Sequence, residues 1–230
     1  MRKNSWTLCK AIEKLTCLES LNISVDYTSN NPLDLNHVTS PPLRLQRLYL
    51  IGPLEKFPNW IGRLENLKKL RFRGSKLNDI PLDFLRDLPN LKMLGINEGV
   101  YYGERLVFHV GGFKMLKPMY LDSLRYLKSI EIQPGALPFL EDLVIRRSPQ
   151  LKQVPVGLHC LTRLACLKVV EMPEDFVGSI SSNQDIVKHV KDIRVGYQTS
   201  KGHYIFKNFD VMPITCNQSN VCSNAASQSA

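Results

Sequence analysis

No apolar run in these 230 residues approaches the roughly 18 needed for a membrane-spanning helix, so a transmembrane segment is not expected. The opening Met1-Arg-Lys-Asn-Ser-Trp6 has no apolar stretch of the kind that directs secretion. The common catalytic signatures are missing too: no G-x-x-x-x-G-K-[ST] phosphate loop, no G-x-S-x-G nucleophile elbow and no H-E-x-x-H zinc motif. Five histidines are scattered, none at ligand spacing from another His or a Cys pair. Gly111-Gly112 lacks the strand–helix setting of a phosphate cradle. No catalytic, cofactor or metal residue is therefore expected, and the chain does not read as an enzyme. The six cysteines (Cys9, Cys17, Cys160, Cys166, Cys216, Cys222) form neither a C-x-x-C pair nor a tight framework, which favours a reducing compartment. Two sequons, Asn22-Ile-Ser24 and Asn217-Gln-Ser219, point the other way, but Asn22 falls in an expected strand.

What the chain does have is a recurring skeleton. Leu151, Val154, Pro155, Leu158, Leu161, Leu164, Leu167 and Val169 repeat as Leu54, Phe57, Pro58, Ile61, Leu64, Leu67, Leu70 and Phe72. A third copy runs Leu77, Ile80, Pro81, Leu85, Leu88, Leu91, Leu94 and Ile96. Apolar residues at every third position, closing on a Leu-x-apolar pair, are the signature of a leucine-rich repeat. One such repeat cannot bury its own apolar face, so the chain is expected to stack into an α/β solenoid or horseshoe. Short parallel strands would line its concave side, with 3₁₀, irregular or short helical segments on the convex side.

The first Leu of each closing pair gives markers at Leu21, Leu48, Leu70, Leu94, Met119, Leu143 and Leu167, spaced 27, 22, 24, 25, 24 and 24 residues apart. These spacings match the repeat class. Ser129-Ile-Glu-Ile132 also fits the pattern, but it lies too close to both neighbouring markers to be a repeat. It is read as a short extra strand on the return side. Tyr27 to Pro42 reads as a polar inserted loop, and Gly99 to Phe113 as an atypical segment that either extends a strand or forms a loop at the rim. The prolines of the return segments suit a 3₁₀ path. The expected domains are a solenoid of about seven repeats over 8–177, a C-terminal cap over 178–210 and a disordered tail over 211–230. The cap would contain a helix from Gln184 to Arg194, with Ile186, Val190 and Ile193 on one face and Asn183 as its N-cap. At the other end, Leu8, Ile12, Leu15 and Leu18 start in mid-pattern, which suggests repeats upstream.

Alternation along each strand turns the marker and the residue two later into the core and their neighbours outward. The outward set includes Arg47 and Tyr49, then Lys69, Arg71 and Arg73, then Gly95, Tyr120, Val144, Cys166 and Val170. Arg47 and the Lys69–Arg71–Arg73 row would lie on neighbouring strands about 5 Å apart. With a formal net charge of +9, this strip, flanked by Tyr49 and Tyr120, is the candidate protein-binding patch. It lacks the repeated stacking platforms and recognised modules of nucleic-acid binders, which argues against a nucleic-acid partner.

Several segments carry a family resemblance: Cys9-Lys-Ala-Ile-Glu-Lys-Leu-Thr-Cys-Leu-Glu-Ser-Leu21, Leu54-Glu-Lys-Phe-Pro-Asn-Trp-Ile-Gly62 and Ile130-Glu-Ile-Gln-Pro-Gly-Ala-Leu-Pro-Phe-Leu-Glu-Asp-Leu143. The Leu151–Phe176 run ending Glu-Met-Pro-Glu-Asp-Phe, and Asp185-Ile-Val-Lys-His-Val-Lys-Asp-Ile193 after it, extend the likeness to roughly residues 8–195. In these features the chain resembles the C-terminal leucine-rich-repeat region of plant intracellular immune receptors of the coiled-coil, nucleotide-binding class. The resemblance implies a cytoplasmic recognition and regulatory module, reaching membranes only through its partners. Those partners would be a pathogen effector, a host protein that an effector modifies, or the receptor's own nucleotide-binding domain. The sequence contains no coiled coil and no phosphate loop, so nucleotide switching is assigned to none of its residues. A generic intracellular repeat scaffold for signalling proteins, and an extracellular receptor ectodomain, are the competing readings.

Overall fold

The computed structural model describes residues 2–26, 31–77, 82–199 and 204–209. His203, Cys216, Cys222, the Asn217 sequon, the tail from Val211, and Ile80 and Pro81 of the third skeleton copy lie outside those residues. In chain order the elements are α1 (Arg2–Lys14), β1 (Ser20–Ser24), β2 (Arg47–Ile51), β3 (Lys69–Arg73), α2 (Leu82–Leu85), β4 (Met93–Asn97), β5 (Arg105–Phe108) and β6 (Pro118–Asp122). Then come β7 (Ser129–Ile132), β8 (Asp142–Arg146), β9 (Cys166–Val170), α3 (Glu174–Ser182), α4 (Gln184–Val187), β10 (Asp192–Gln198) and β11 (Tyr204–Asn208). Short 3₁₀ turns occupy Asn59–Arg63 and Leu158–Cys160, directly after or close to the return-side prolines Pro58 and Pro155.

Nine strands form one sheet in the order β1-β2-β3-β4-β6-β8-β9-β10-β11. The marker residues are direct partners across it: Leu21, Leu48, Leu70, Leu94, Met119, Leu143 and Leu167 stand in one row. This one-to-one register follows from the period-two alternation, because a one-residue slip would turn every leucine toward solvent. From Leu48 onward the markers are fully buried, whereas Leu21, on the edge strand, is only partly covered. Leu64, Leu67, Leu88, Leu91, Leu161 and Leu164 fill the interior behind the strands. Each buried Leu contributes roughly 1.5–3 kcal/mol relative to exposure.

Ser129–Ile132 is indeed a strand of the return side. It pairs in parallel with β5, inside the atypical Gly99–Phe113 segment, and the Glu131–Val156 bridge extends that small sheet. The core thus lies between the large concave sheet and a short convex one. The 27–42 segment differs from expectation where it is described. Leu35 and Val38 are core residues, Leu33 bridges Leu54, and the Trp60 indole donates to the Leu35 carbonyl at 2.9 Å. It is a return segment with apolar anchors, not a surface loop.

One regular device was not visible in the skeleton. The residue leaving a strand has a left-handed backbone at Gly52, Gly74, Ser123, Arg147 and Glu171, and each of these N–H groups donates to the next repeat along. Those three non-glycine positions each cost about 1–2 kcal/mol of backbone strain, which the inter-repeat ladder offsets.

The C-terminal end differs from the expected long helix. Helix α4 stops at Val187, and Asp192–Gln198 instead forms β10, an eighth parallel strand in which Ile193 stands beside Leu167 in the marker row. The apolar spacing of Ile186, Val190 and Ile193 also suits a short helix running into a strand, and pairing with the exposed edge of β9 decides between them. Asn183 does not cap α4 through its side chain. Its amide nitrogen donates back to the Ser179 carbonyl at 2.8 Å, closing α3. Strand β11 then turns back antiparallel on β10.

Candidate functional site

The sheet register brings the six sequence-derived residues onto one concave face. Arg47 stands beside Lys69, Tyr49 beside Arg71, and Arg71 beside Gly95, which in turn neighbours Tyr120. The side chains of Arg47, Lys69, Arg71 and Arg73 are exposed, while Tyr49 and Tyr120 are half-buried. Arg73 meets a counter-charge, its guanidinium lying 3.1 Å from a Glu98 carboxylate oxygen. Among the described residues no carboxylate lies within ion-pair distance of Arg47, Lys69 or Arg71. Lys68, next to Lys69 at the strand entrance, donates to the Gln46 side chain at 3.0 Å.

Arg71 is held by an aromatic ring and not by a counter-ion. Its guanidinium carbon lies 5.8 Å from the centre of the Tyr120 ring, a cation–π distance. Between the two stands Gly95, where a methyl group would come within 3.2 Å of Arg71 Cγ and Nε. The missing side chain lets the arginine lie flat across β4 to reach Tyr120. Sequence reasoning placed Gly95 as a neutral outward position. The signal that could have identified its role is a lone Gly between an Arg and a Tyr in a row otherwise filled by larger residues.

Beyond Arg71 the face sinks into a hollow of about 190 Å³ lined by Arg71, Asn97, Tyr120, Asp122, Val144 and Arg146. Asp122 is fixed there by Arg147, with nitrogen–oxygen distances of 2.8–3.1 Å, and by the Ser123 hydroxyl at 2.9 Å. Further along, the face neutralises itself. Arg194 pairs with Asp192 at 2.6 Å, holding that carboxyl below its usual range, and the Cys166 thiol donates to Asp192 at 3.5 Å. Burial, the largest influence, pushes the Cys166 thiol up. The outward positions Val144, Cys166 and Val170 are buried, contrary to their expected exposure. At Gly196, beside Val170, an added methyl would come 2.8 Å from the Phe206 ring, so β11 folds an aromatic over this end of the face.

No three His, Cys, Asp or Glu side chains among the described residues are grouped to hold a metal ion. His159, exposed, and Cys160, half-buried, lie 3.5 Å apart in the second 3₁₀ turn. No helix among the described residues is long and apolar enough to cross a membrane.

Comparison with known proteins agrees with this architecture. The disease resistance protein RPM1 of Arabidopsis thaliana is 29% identical over 208 residues, covering 88% of this chain and 22% of that protein. The disease resistance protein RPP8 of the same plant is 27% identical over 203 residues, covering 84% of this chain and 22% of its own length. The disease susceptibility protein LOV1, also from Arabidopsis thaliana, is 27% identical over 172 residues, covering 74% and 18%. The chain therefore spans about a fifth of the length of these relatives. A family model described as a leucine-rich repeat region matches residues 2–194, and the chain belongs to that family.

Proposed function

We propose that this chain is a protein-recognition module of plant immunity whose concave face docks an acidic surface of a partner protein. The partner is a pathogen effector, a host protein altered by one, or the nucleotide-binding domain of a receptor. The observation that carries this reading is the open cationic corner formed by Arg47, Lys69 and Arg71, with Arg71 oriented by Tyr120. Like charges about 5 Å apart on neighbouring strands repel one another, and an acidic partner relieves that repulsion. Such a field also steers encounter, so association should slow as salt rises. The names of the relatives, disease resistance and disease susceptibility proteins, supply the immune context. The recognition role falls to these residues, and nucleotide switching is assigned to none of them.

The test is co-purification from plant tissue using the chain and a variant carrying Arg47→Glu, Lys69→Glu, Arg71→Glu and Arg73→Glu. The variant should lose its acidic partners while staying folded, its melting temperature moving by no more than roughly 4–8 °C, because each exposed charge substitution changes stability by roughly 0.5 kcal/mol or less and the set together by roughly 2 kcal/mol or less. Unchanged capture at unchanged stability would remove the basic corner from the reading.

A further inference from the structure

A second surface lies where the chain leaves β3, β4 and β6. Gly99, Val100, Tyr101 and Tyr102 are pinned against the preceding repeat by Lys76 N–H to Gly99 O (2.7 Å), Leu77 N–H to Val100 O (2.9 Å) and Tyr102 N–H to Leu77 O (3.1 Å). Tyr101 is buried, and its hydroxyl donates to the Arg105 carbonyl at 2.7 Å. The path of that hydroxyl passes where Gly103 has no side chain, since a methyl there would lie 2.1 Å from it. With Tyr101 locked inward, Tyr102 projects outward from an ordered backbone and stays 39% exposed. Its ring lies 5.5 Å from that of Tyr126, which is 50% exposed.

Tyr102 is the wall between two hollows. One, of about 340 Å³, is lined by Arg73, Gly74, Lys76, Glu98, Gly99 and Tyr102. The other, of about 220 Å³, continues past Gly99 to Ser123, Arg125 and Tyr126. The larger lies within the size range of ligand clefts, roughly 300–1,000 Å³. Cations stand at both ends, Arg73 and Lys76 on one side and Arg125 on the other, and the carboxylate of Glu98 is engaged by Arg73. Rigid tyrosines flanked by arginine are the composition of binding hot spots, because they present a large area with little rotamer entropy to lose.

We propose that this rim is a docking site for an extended peptide segment of a partner protein, with an aromatic side chain seated against Tyr102 and acidic residues reaching Lys76 and Arg125. The proposal rests on the reading that the chain recognises protein, but it does not depend on Arg47, Lys69 or Arg71; Arg73, at the end of β3, borders both surfaces. A peptide suits the site better than a nucleic-acid strand. Two mutually tilted rings and a carboxylate between the cations do not make a continuous basic track with successive stacking platforms.

The probe is the synthetic peptide acetyl-Asp-Glu-Trp-Glu-Asp-amide, titrated into the full chain while backbone amide resonances are followed. Saturable shifts are expected at Gly74, Gly99, Tyr102 and Tyr126. Tyr102→Ala should weaken binding about tenfold, the scale of a hot-spot aromatic. Tyr102→Phe should retain the affinity, Arg125→Glu should weaken it, and a Lys-flanked version of the peptide should not bind. Arg47→Glu with Lys69→Glu should leave the titration unchanged, so failure at the rim and failure at the corner are read separately. The proposal is overturned by the absence of saturable shifts, by shifts confined to β2 and β3, by equal affinity in a folded Tyr102→Ala variant, or by a single-stranded oligonucleotide occupying the rim more tightly than the peptide.

Discussion

Gly157→Ala tests whether the convex sheet and its left-handed turn support the stack. Gly157 opens the 3₁₀ turn Leu158–Cys160 at φ 81°, and a methyl group there would lie 1.9 Å from the Ile132 carbonyl oxygen. Ordinary contact begins near 3.4 Å, so one backbone would have to retreat by roughly 1.5 Å. That retreat strains the two hydrogen bonds joining Val156 to β7: Ile132 N–H to Val156 O at 2.8 Å and Val156 N–H to Ile130 O at 2.9 Å. The left-handed conformation costs an alanine about 1–2 kcal/mol, and losing the two bonds about 1 kcal/mol each. A total of roughly 3–4 kcal/mol is a large share of a domain stability of roughly 5–15 kcal/mol, and it corresponds to a fall in melting temperature of roughly 6–16 °C. Gly178→Ala is the matched control. Gly178 lies inside α3, has no left-handed φ and would meet nothing within 4 Å, so alanine there should stabilise by about 0.5–1 kcal/mol. Urea unfolding and thermal melts of both variants check the pair. A shift of the same sign and size in both, or a loss below about 1 kcal/mol at Gly157, would refute the close-approach argument.

Two further outcomes follow from named contacts. The Glu13 carboxylate pairs with Lys10 at 2.7 Å and accepts hydrogen bonds from the Thr39 hydroxyl and the Thr39 and Ser40 amides, led by Lys10, and these hold its pKa near 2 against 4.5. A carboxyl depressed in the folded state stabilises above its unfolded pKa, so its contribution should be complete above pH 4.5 and fade as pH falls toward 2. Melting temperature against pH for the wild type, minus that of Glu13→Gln, should decline through this window; a flat difference would contradict it. At the candidate site, Gly95→Val should push Arg71 off Tyr120, a contact of about 0.5–1 kcal/mol at an exposed position. The Arg71 side-chain NH resonance should then lose its ring-current shift from Tyr120, and an unaltered resonance would mean that Gly95 is not what admits the arginine.

The stack was legible because its signal is local and repeated. A leucine or methionine every 22 to 27 residues, and an apolar partner two positions later, are enough to place Leu21 through Leu167 in one register row. The extra strand Ser129–Ile132 was legible for the same reason, since it carries the pattern at a spacing too short for a repeat. Ile193 was missed as the next member of the row because its neighbours Ile186 and Val190 carry helical spacing, and only pairing with β9 reveals the strand. The cationic corner could be read from strand parity alone. The Arg71–Gly95–Tyr120 arrangement could not, because it depends on a side chain crossing a neighbouring strand. The burial of Val170 was likewise hidden from strand parity, since an aromatic of β11, Phe206, folds over Gly196, the residue beside Val170 on β10.

These departures from simple alternation limit where a partner can bind. In a stacked repeat the inward residues carry stability and the outward ones are free to vary, so recognition and folding are nearly independent. That independence fails wherever an outward residue is itself buried. At Val144, Cys166 and Val170 the outward positions have become interior, and Phe206 lies on Gly196 beside them. Arg194 and Asp192 satisfy one another in the same region. A partner seated there would have to displace an aromatic ring and break an ion pair before gaining any contact. No such cost applies at Arg47, Lys69 and Arg71, where the cations already face solvent and Tyr120 holds Arg71 in place. The rim at Tyr102 and Tyr126 adjoins this open half, beside Arg73 and Glu98. Outward substitutions on β2, β3, β4 and β6, Gly95 apart, should therefore alter binding with little effect on folding, whereas outward substitutions at the buried positions of β8 and β9 should be felt first as lost stability.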